Sequence, residues 1–372
     1  MDDNNDIRAL LRQSAIDYLG ARPAQKQEPG SVPAFDAAGW RELAGLGWLG
    51  VGLPEALGGP GLGLREAAVL CEEFGRVASP MPYLAASLLP SLLLAACPHG
   101  PTSCELAEQL VSGARPFALA WQDSAGQADK AIPLTKYIEG RVCGTKRFVA
   151  GGGHDGVLLL TAQNGAAPVL VAVDANAPGV TQEPYAAGLG SDATIRFDRA
   201  PTLFEAPLAS GTDAQRALSI ALQAGRVAIA AQLAGLAASV LDKTLAYVST
   251  RVQFGRPISS FQAIRHRCVD LHIDSRLASA SWQHALRALE AAPDAPETAA
   301  AVSAAKARCG DVAVQTGLRA VQMHGAMGFI EEGGVGVYLR AALHGRAWLG
   351  TPAEQRRRFI ALDAATREAL HV

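Results

Sequence analysis

The chain has 372 residues, 49% hydrophobic and 18% charged, enough for a large core or for two or three domains sharing one. A net charge of −2 with no basic stripe points away from nucleic acid. The first six residues, Met1 to Asp6, are acidic and polar and have neither the basic nor the apolar segment of a secretory leader.

Apolar residues at helical spacing (Ile7, Leu10, Leu11, Ala15, Leu19) predict a helix over residues 6–19. Further helices are expected over residues 35–46, with Asp36 placed to cap it, and over residues 64–77 and 83–96. The Gly/Pro-rich run at residues 50–63 is a loop between them. The most apolar stretch, residues 84–97, contains Pro90 and is too short to span a bilayer. A buried helix is therefore expected there, and no membrane insertion. From about residue 115 the character changes. Residues 157–161 and 169–173 are short apolar runs rich in β-branched residues, and residues 194–198 alternate. Gly, Asn and Pro punctuate them, and a small antiparallel β-domain follows. Beyond residue 211 the pattern is helical again: residues 213–251, with a face of Ala228, Ala230, Ala231, Ala234, Gly235 and Ala238 that allows close packing, then residues 262–290, 296–323 and 352–370. These make a bundle. The implied division is 1–114, N-terminal helical; 115–207, middle β; and 208–372, C-terminal four-helix bundle. Six cysteines (Cys71, Cys97, Cys104, Cys143, Cys268, Cys309) form no CxxC pair, so free thiols in a reducing, cytoplasmic setting are expected.

Two motifs carry chemistry. The first is Arg251-Val252-Gln253-Phe254-Gly255-Arg256-Pro257-Ile258, with Gln262 following. Read alone it is a helix end with a favourable arginine and a Gly-Pro turn, or a site for an anionic group. The second is Gln322-Met323-His324-Gly325-Ala326-Met327-Gly328-Phe329, otherwise a helix stop at glycine. In this order and separation, within a chain running helices, β-domain, helical bundle, they resemble the acyl-CoA dehydrogenase family, over essentially the whole chain. The resemblance implies an α+β fold and FAD. It implies that Arg251, Gln253, Phe254, Gln262, Gln322, Gly325 and Thr351 bind the cofactor. Guanidinium pairs well with pyrophosphate, and in the family the ADP half of FAD is reached across a dimer interface in the neighbouring subunit. One further family glycine is Ala326 here.

Other family positions are altered. The family's Thr-Glu-Pro-Gly-like run, which bonds the flavin ring, reads Leu119-Ala120-Trp121-Gln122-Asp123-Ser124. A Trp-x-Thr pair that packs on the ring appears as Phe148 and Ala150, with Lys146 keeping the register. The catalytic glutamate before Gly350-Thr351 is Leu349. The alternative family position, before Arg226, is Gly225. Both base positions are vacant, so no catalytic residue is assigned. Glu331, Glu332 and Glu354 read as solvated helix-end carboxylates, and His344 as a packing or surface residue. No metal site is expected.

The asymmetry implies the subunit without the base in a heteromeric acyl-CoA dehydrogenase. Heteromeric members are α2β2 assemblies with half the usual flavin, acting on bulky acyl-CoA thioesters in bacterial steroid side-chain catabolism, and an electron-transfer flavoprotein is the implied acceptor. A homomeric enzyme with a displaced base, and a non-enzymatic scaffold that binds a partner or an acyl-CoA, remain open.

Overall fold

The computed structural model describes residues 3–22, 30–127, 129, 132–330 and 333–370. In chain order the elements are α1 (Asp3–Ala21), α2 (Ala37–Gly45), α3 (Leu64–Arg76), a π-helical segment (Leu84–Leu88) running into α4 (Leu89–Ala96), and α5 (Pro101–Val111). The strands β1 (Phe117–Ala120), β2 (Lys136–Ile138), β3 (Arg141–Ala150), β4 (Val157–Asn164), β5 (Ala167–Asp174), β6 (Val180–Ala187), β7 (Gly190–Pro201) and β8 (Ala209–Ser210) follow. Then come α6 (Gly211–Thr250), the two-stranded β9 (Val252–Gln253) and β10 (Arg256–Pro257), α7 (Gln262–Ala291), α8 (Pro296–His324), α9 (Gly336–Ala347) and α10 (Pro352–Leu370). The chain divides into two compact units: Met1–Ala24, Ala68–Ser79 and Arg226–Val372 in one, Gln25–Ala67 and Pro80–Gly225 in the other.

The second unit holds the sheet. Among the described residues its eight strands run β6-β7-β3-β2-β4-β5-β8, with β1 beside β4. The sheet is mixed rather than antiparallel. β1 runs parallel to β4, from Phe117↔Val157 to Ala120↔Leu160, and β2 meets β4 in parallel at Lys136↔Gln163. The physical reason is the long connection. Between β1 and β4 the chain makes the β2–β3 hairpin, and such an excursion lets two strands of the same direction become neighbours. One face packs on a core that includes Val142, Val149, Leu158, Leu160, Val171, Ile195 and Phe197. In α2 the Asp36 carboxylate accepts from the Gly39 amide at 2.9 Å, a cap of about 1 kcal/mol. Trp40 and Leu43 on its inner face are 1% and 0% exposed, each contributing roughly 1.5–3 kcal/mol by burial.

The first unit is built around α6. It is long and apolar enough, by length and composition, to cross a membrane, but 83% of its most apolar window is buried, as an all-round apolar core helix must be. Glycines set the closest approach. A Cβ on Gly75 of α3 would stand 2.0 Å from the Gln232 carbonyl oxygen, and one on Gly235 would stand 2.1 Å from that of Glu72. The small-residue face of α6 is therefore where α3 lies against it. Arg12 of α1 ties in by pairing with Glu72 at 2.7 Å and Glu73 at 3.4 Å. The bundle has one helix more than the four read from sequence: α9 lies between α8 and α10 in the chain and packs on α8. A Cβ on Gly317 would meet Leu339 at 3.2 Å, and one on Gly310 would meet Arg346 at 3.2 Å.

Candidate active site

The two motifs meet at one end of the helical unit. Leu241 and Val248 near the end of α6, Cys268 and Leu271 near the start of α7, and Met323 at the end of α8 form one buried cluster. Tyr247 stacks on His324 with ring centroids 4.2 Å apart, and its hydroxyl donates to the His324 carbonyl oxygen at 3.2 Å. His324 Nδ1 lies 2.8 Å from the Ala320 carbonyl oxygen. The end of α6 that leads to Arg251 is thus fixed to the end of α8 that leads to Gly325.

From that base the predicted binding residues project outward. Arg251, Gln253, Phe254, Gln262, Gln322 and Gly325 are all exposed on this chain. The Arg251 guanidinium has no hydrogen-bond or ion-pair partner among the described residues. Phe254 and Gly255 form the tip of the β9–β10 hairpin, with φ of +52° and +77°. Two successive positive φ values define the turn whose twist matches a tight hairpin. For a phenylalanine this is a strained conformation of the kind found at ligand sites, and its ring is 89% exposed. Phe261 braces the hairpin: Phe254 meets it edge-on at 6.1 Å, and the Arg256 guanidinium lies 4.3 Å over its ring. Gly325 takes φ +61°, ψ −133°, a region reserved for glycine. A Cβ there would meet nothing within 4 Å, so space beside it is open. Gln322 Oε1 accepts from Arg319 at 3.3 Å.

The turn between α9 and α10 holds the vacated base position. Leu349 is 2% exposed and left-handed, with φ +58°. Its carbonyl oxygen accepts from Arg226 Nε at 3.1 Å and from Gln355 Nε2 at 2.9 Å. Gly225, the other vacant position, is a buried residue of α6. Of the substitute acids, Glu354 is committed. Its Oε2 accepts from the Thr351 amide (2.7 Å) and hydroxyl (2.9 Å), while the Glu354 amide donates to Thr351 Oγ1 at 3.3 Å. This capping box starts α10 and engages the hydroxyl of Thr351, a predicted binding residue. His344 stacks on Trp348 at 6.4 Å. Glu331 and Glu332 lie outside the described residues.

In the sheet unit, Lys146 has a structural partner that sequence reasoning did not supply. It is fully buried and pairs with the Asp123 carboxylate at 2.9 Å. It also donates to Thr161 Oγ1 at 2.9 Å. Asp123 further accepts from the Thr135 hydroxyl at 2.6 Å and the Leu134 amide at 3.1 Å. Burial opposes the Asp123 charge, but Lys146 and these hydrogen bonds together hold its pKa below the ordinary value. Burial pushes Lys146 down to about 8 against the pull of Asp123. The Arg147 amide donates to the Gln122 carbonyl oxygen at 2.8 Å. Residues 121–123 and 146–147 are therefore in direct register. Phe148 sits on the β-bulge after Lys146 with φ +55°, its ring partly exposed, while Ala150 is buried. Ser191 Oγ lies 3.2 Å from His154 Nε2 and donates to the Gly152 carbonyl oxygen at 3.1 Å. With Ser191 buried, this pair secures the glycine run after β3.

Comparison with known proteins follows the same outline. Residues 1–97 match the model of the acyl-CoA dehydrogenase N-terminal domain, and residues 215–361 match that of the C-terminal domain. Over 365 residues the chain is 31% identical to the acyl-CoA dehydrogenase IpdE2 of Mycolicibacterium smegmatis, covering 96% of this chain and 99% of that one. The chain belongs to the acyl-CoA dehydrogenase family. It is also 30% identical to the acyl-CoA dehydrogenase FadE34 of Mycobacterium tuberculosis over 98% of its own length, and spans 48% of that longer protein. Among solved structures it is similar to the steroid ACAD Tcur3481-Tcur3483 (29% identity, TM-score 0.81, 98% of each chain covered). It is similar also to the ChsE4-ChsE5 complex of Mycobacterium tuberculosis (25% identity, TM-score 0.81, 98% of each chain covered).

FAD is the cofactor that membership of this acyl-CoA dehydrogenase family assigns. The residues of the helical unit fit its anionic half: a guanidinium at Arg251 with no partner among the described residues, an exposed aromatic at Phe254, and open backbone at Gly325. When bound, FAD would supply the acceptor for a hydride leaving a substrate carbon. The complementary group, a side chain at 349 or 225 able to take a proton, is absent by residue type.

Proposed function

We propose that this acyl-CoA dehydrogenase chain is the subunit without a catalytic base in a heteromeric, FAD-dependent enzyme that desaturates a bulky acyl-CoA. The observation that carries this reading is a contrast within one unit. Arg251, Phe254, Gln322 and Gly325 are exposed on the surface of their own chain, while Leu349, buried at the base position, cannot accept a proton. On this reading the chain lends its ADP-side contacts to the flavin of a homologous, glutamate-bearing subunit. The assembly is α2β2 and carries half the flavin of a homomeric enzyme. Similarity to a steroid ACAD and to a two-component complex supports both the pairing and a steroid side-chain thioester as substrate. An electron-transfer flavoprotein is the acceptor the family implies.

Chemically, α-proton removal by a positioned carboxylate typically contributes roughly 10²–10⁴ in rate, and a leucine contributes none of it. Assay of this chain purified alone, with steroid side-chain acyl-CoA and an artificial electron acceptor, should give no turnover. Co-expression with a homologous subunit carrying glutamate at the aligned position should give turnover. Full activity of the chain alone would instead support a homomeric enzyme with a displaced base. Partner binding that survives without flavin and without any turnover would support a scaffold.

A further inference from the structure

A helix on the surface of a folded chain carries apolar residues on the face it buries and polar ones on the face it shows to water. α7 departs from this. Its inner face is Cys268, Leu271, Ser275, Ala278, Trp282 and Ala285, all buried. At about 3.6 residues per turn, Val269, Ile273 and Leu277 fall on the opposite face, where they are 56%, 51% and 47% exposed. Standing four apart, they form one continuous ridge of the kind that interdigitates with the ridge of another helix. The polar residues beside this ridge are sorted by charge. Asp270 and Asp274 lie on one flank, Arg276 and the titratable His272 on the other. All four are exposed, and none has a hydrogen-bond or ion-pair partner among the described residues.

An apolar ridge with one acidic and one basic flank fits a second copy of itself in one orientation. When two such helices lie parallel about a two-fold axis, each acidic flank faces the basic flank of the other copy. When they lie antiparallel, acid faces acid and base faces base. We propose that α7 is the seam at which two copies of this chain meet, parallel and related by a two-fold axis, with Ile273 of each copy at its centre. Closing the seam removes three large apolar side chains per copy from water, and the flanks set partner and orientation as charged flanking positions do in paired helices. A helix that faces a different sequence has no need of flanks that complement each other, whereas a helix that faces its own copy does. The proposal stands apart from the shared-flavin reading. That reading gives Arg251 and its neighbours to a homologous subunit, and this one gives α7 to a like subunit.

The test is sedimentation equilibrium of the full chain, with crosslinking to read orientation. Wild type should be a dimer, and Ile273→Arg should raise its dissociation constant about a hundredfold or more while leaving the urea midpoint in place. Asp270→Arg with Asp274→Arg makes both flanks basic and should weaken the dimer about tenfold or more. Adding His272→Asp and Arg276→Asp reverses both flanks and should restore affinity to within about threefold. Val269→Cys, placed in a Cys104→Ser background that removes the exposed native thiol, should crosslink to itself on oxidation. Where the chain purifies only with a homologous subunit, the same crosslink between like chains, read in that complex, carries the test. A wild-type chain that stays monomeric, or a dimer indifferent to Ile273→Arg, would overturn the proposal. A Val269→Cys thiol that links only to Leu277→Cys would overturn the parallel arrangement on which it rests. Loss of the homologous subunit from the complex on Ile273→Arg, with no crosslink between like chains, would overturn it by assigning the seam to a different occupant.

Discussion

Leucine has no atom that can take a proton, and at position 349 it is buried and left-handed, so the residue disqualifies itself by chemistry rather than by placement. Arg251 is the opposite case: exposed, charged and unpartnered among the described residues. Charge-assisted hydrogen bonds contribute about 1.5–3 kcal/mol. Arg251→Ala should therefore raise the Kd of the heteromer for FAD roughly tenfold or more, while the unfolding midpoint stays where it was. Fluorescence titration and a urea melt check the two halves. Lys146 behaves in reverse. Its pair with Asp123 is sealed from water, and removing one partner of such a pair costs about 3–5 kcal/mol. Lys146→Met should lower the urea midpoint accordingly. What could be read in advance at this scale followed local rules. Asp36 announced its cap, and the Thr351-x-x-Glu354 spacing is a capping-box signature that would have identified the role of Glu354. Lys306 of α8, whose ammonium donates to the Gly345 and Gly350 carbonyl oxygens, also left a trace. It falls at helical spacing with Val302, Cys309 and Ala313, all buried, and a lysine on the core face of a helix asks for a buried acceptor. Lys146 left none, because its partner at 123 is brought to it only by the sheet.

Among the elements, the turn joining α9 to α10 makes a prediction about pH. Burial and the nearby Arg226 and Arg346 charges push Lys306 down to about 7. The folded protein therefore binds fewer protons there than the unfolded chain, whose lysine titrates near 10.4. Stability must then rise with pH between about 7 and 10, and the contribution is flat below that window. Lys306→Met should lack this rise, so thermal melts of the two proteins across pH 7–10 should diverge in favour of wild type at the alkaline end. A constant difference would contradict it. The long helices were legible because apolar periodicity persists over many turns: α6, α7 and α8 lie within a residue or two of the expected spans. α9 was not, since its 12 residues carry glycines at 336 and 345 and a mixed face. β3 was not either. Its register slips between Val142 and Gly144 and again between Lys146 and Val149, and each bulge breaks the two-residue alternation by which a strand is recognised.

At the scale of the whole molecule the fold was legible and the assembly only by resemblance. Helices, a β-sheet and a helical region follow in the order of the acyl-CoA dehydrogenase family, and the family models and relatives bear this out. Parallel pairing of β1 with β4 was hidden, because direction in a sheet depends on connections that composition does not record. On the proposed reading, the exposed set Arg251, Phe254 and Gly325 serves a flavin held by a partner, and that partner supplies the base that 349 and 225 do not. The most direct measurement is flavin content per chain, for this protein expressed alone and then co-expressed with a homologous glutamate-bearing subunit. The account predicts little flavin alone, and one FAD for every two chains with turnover in the co-expressed complex. One FAD per chain with turnover from the protein expressed alone would contradict it.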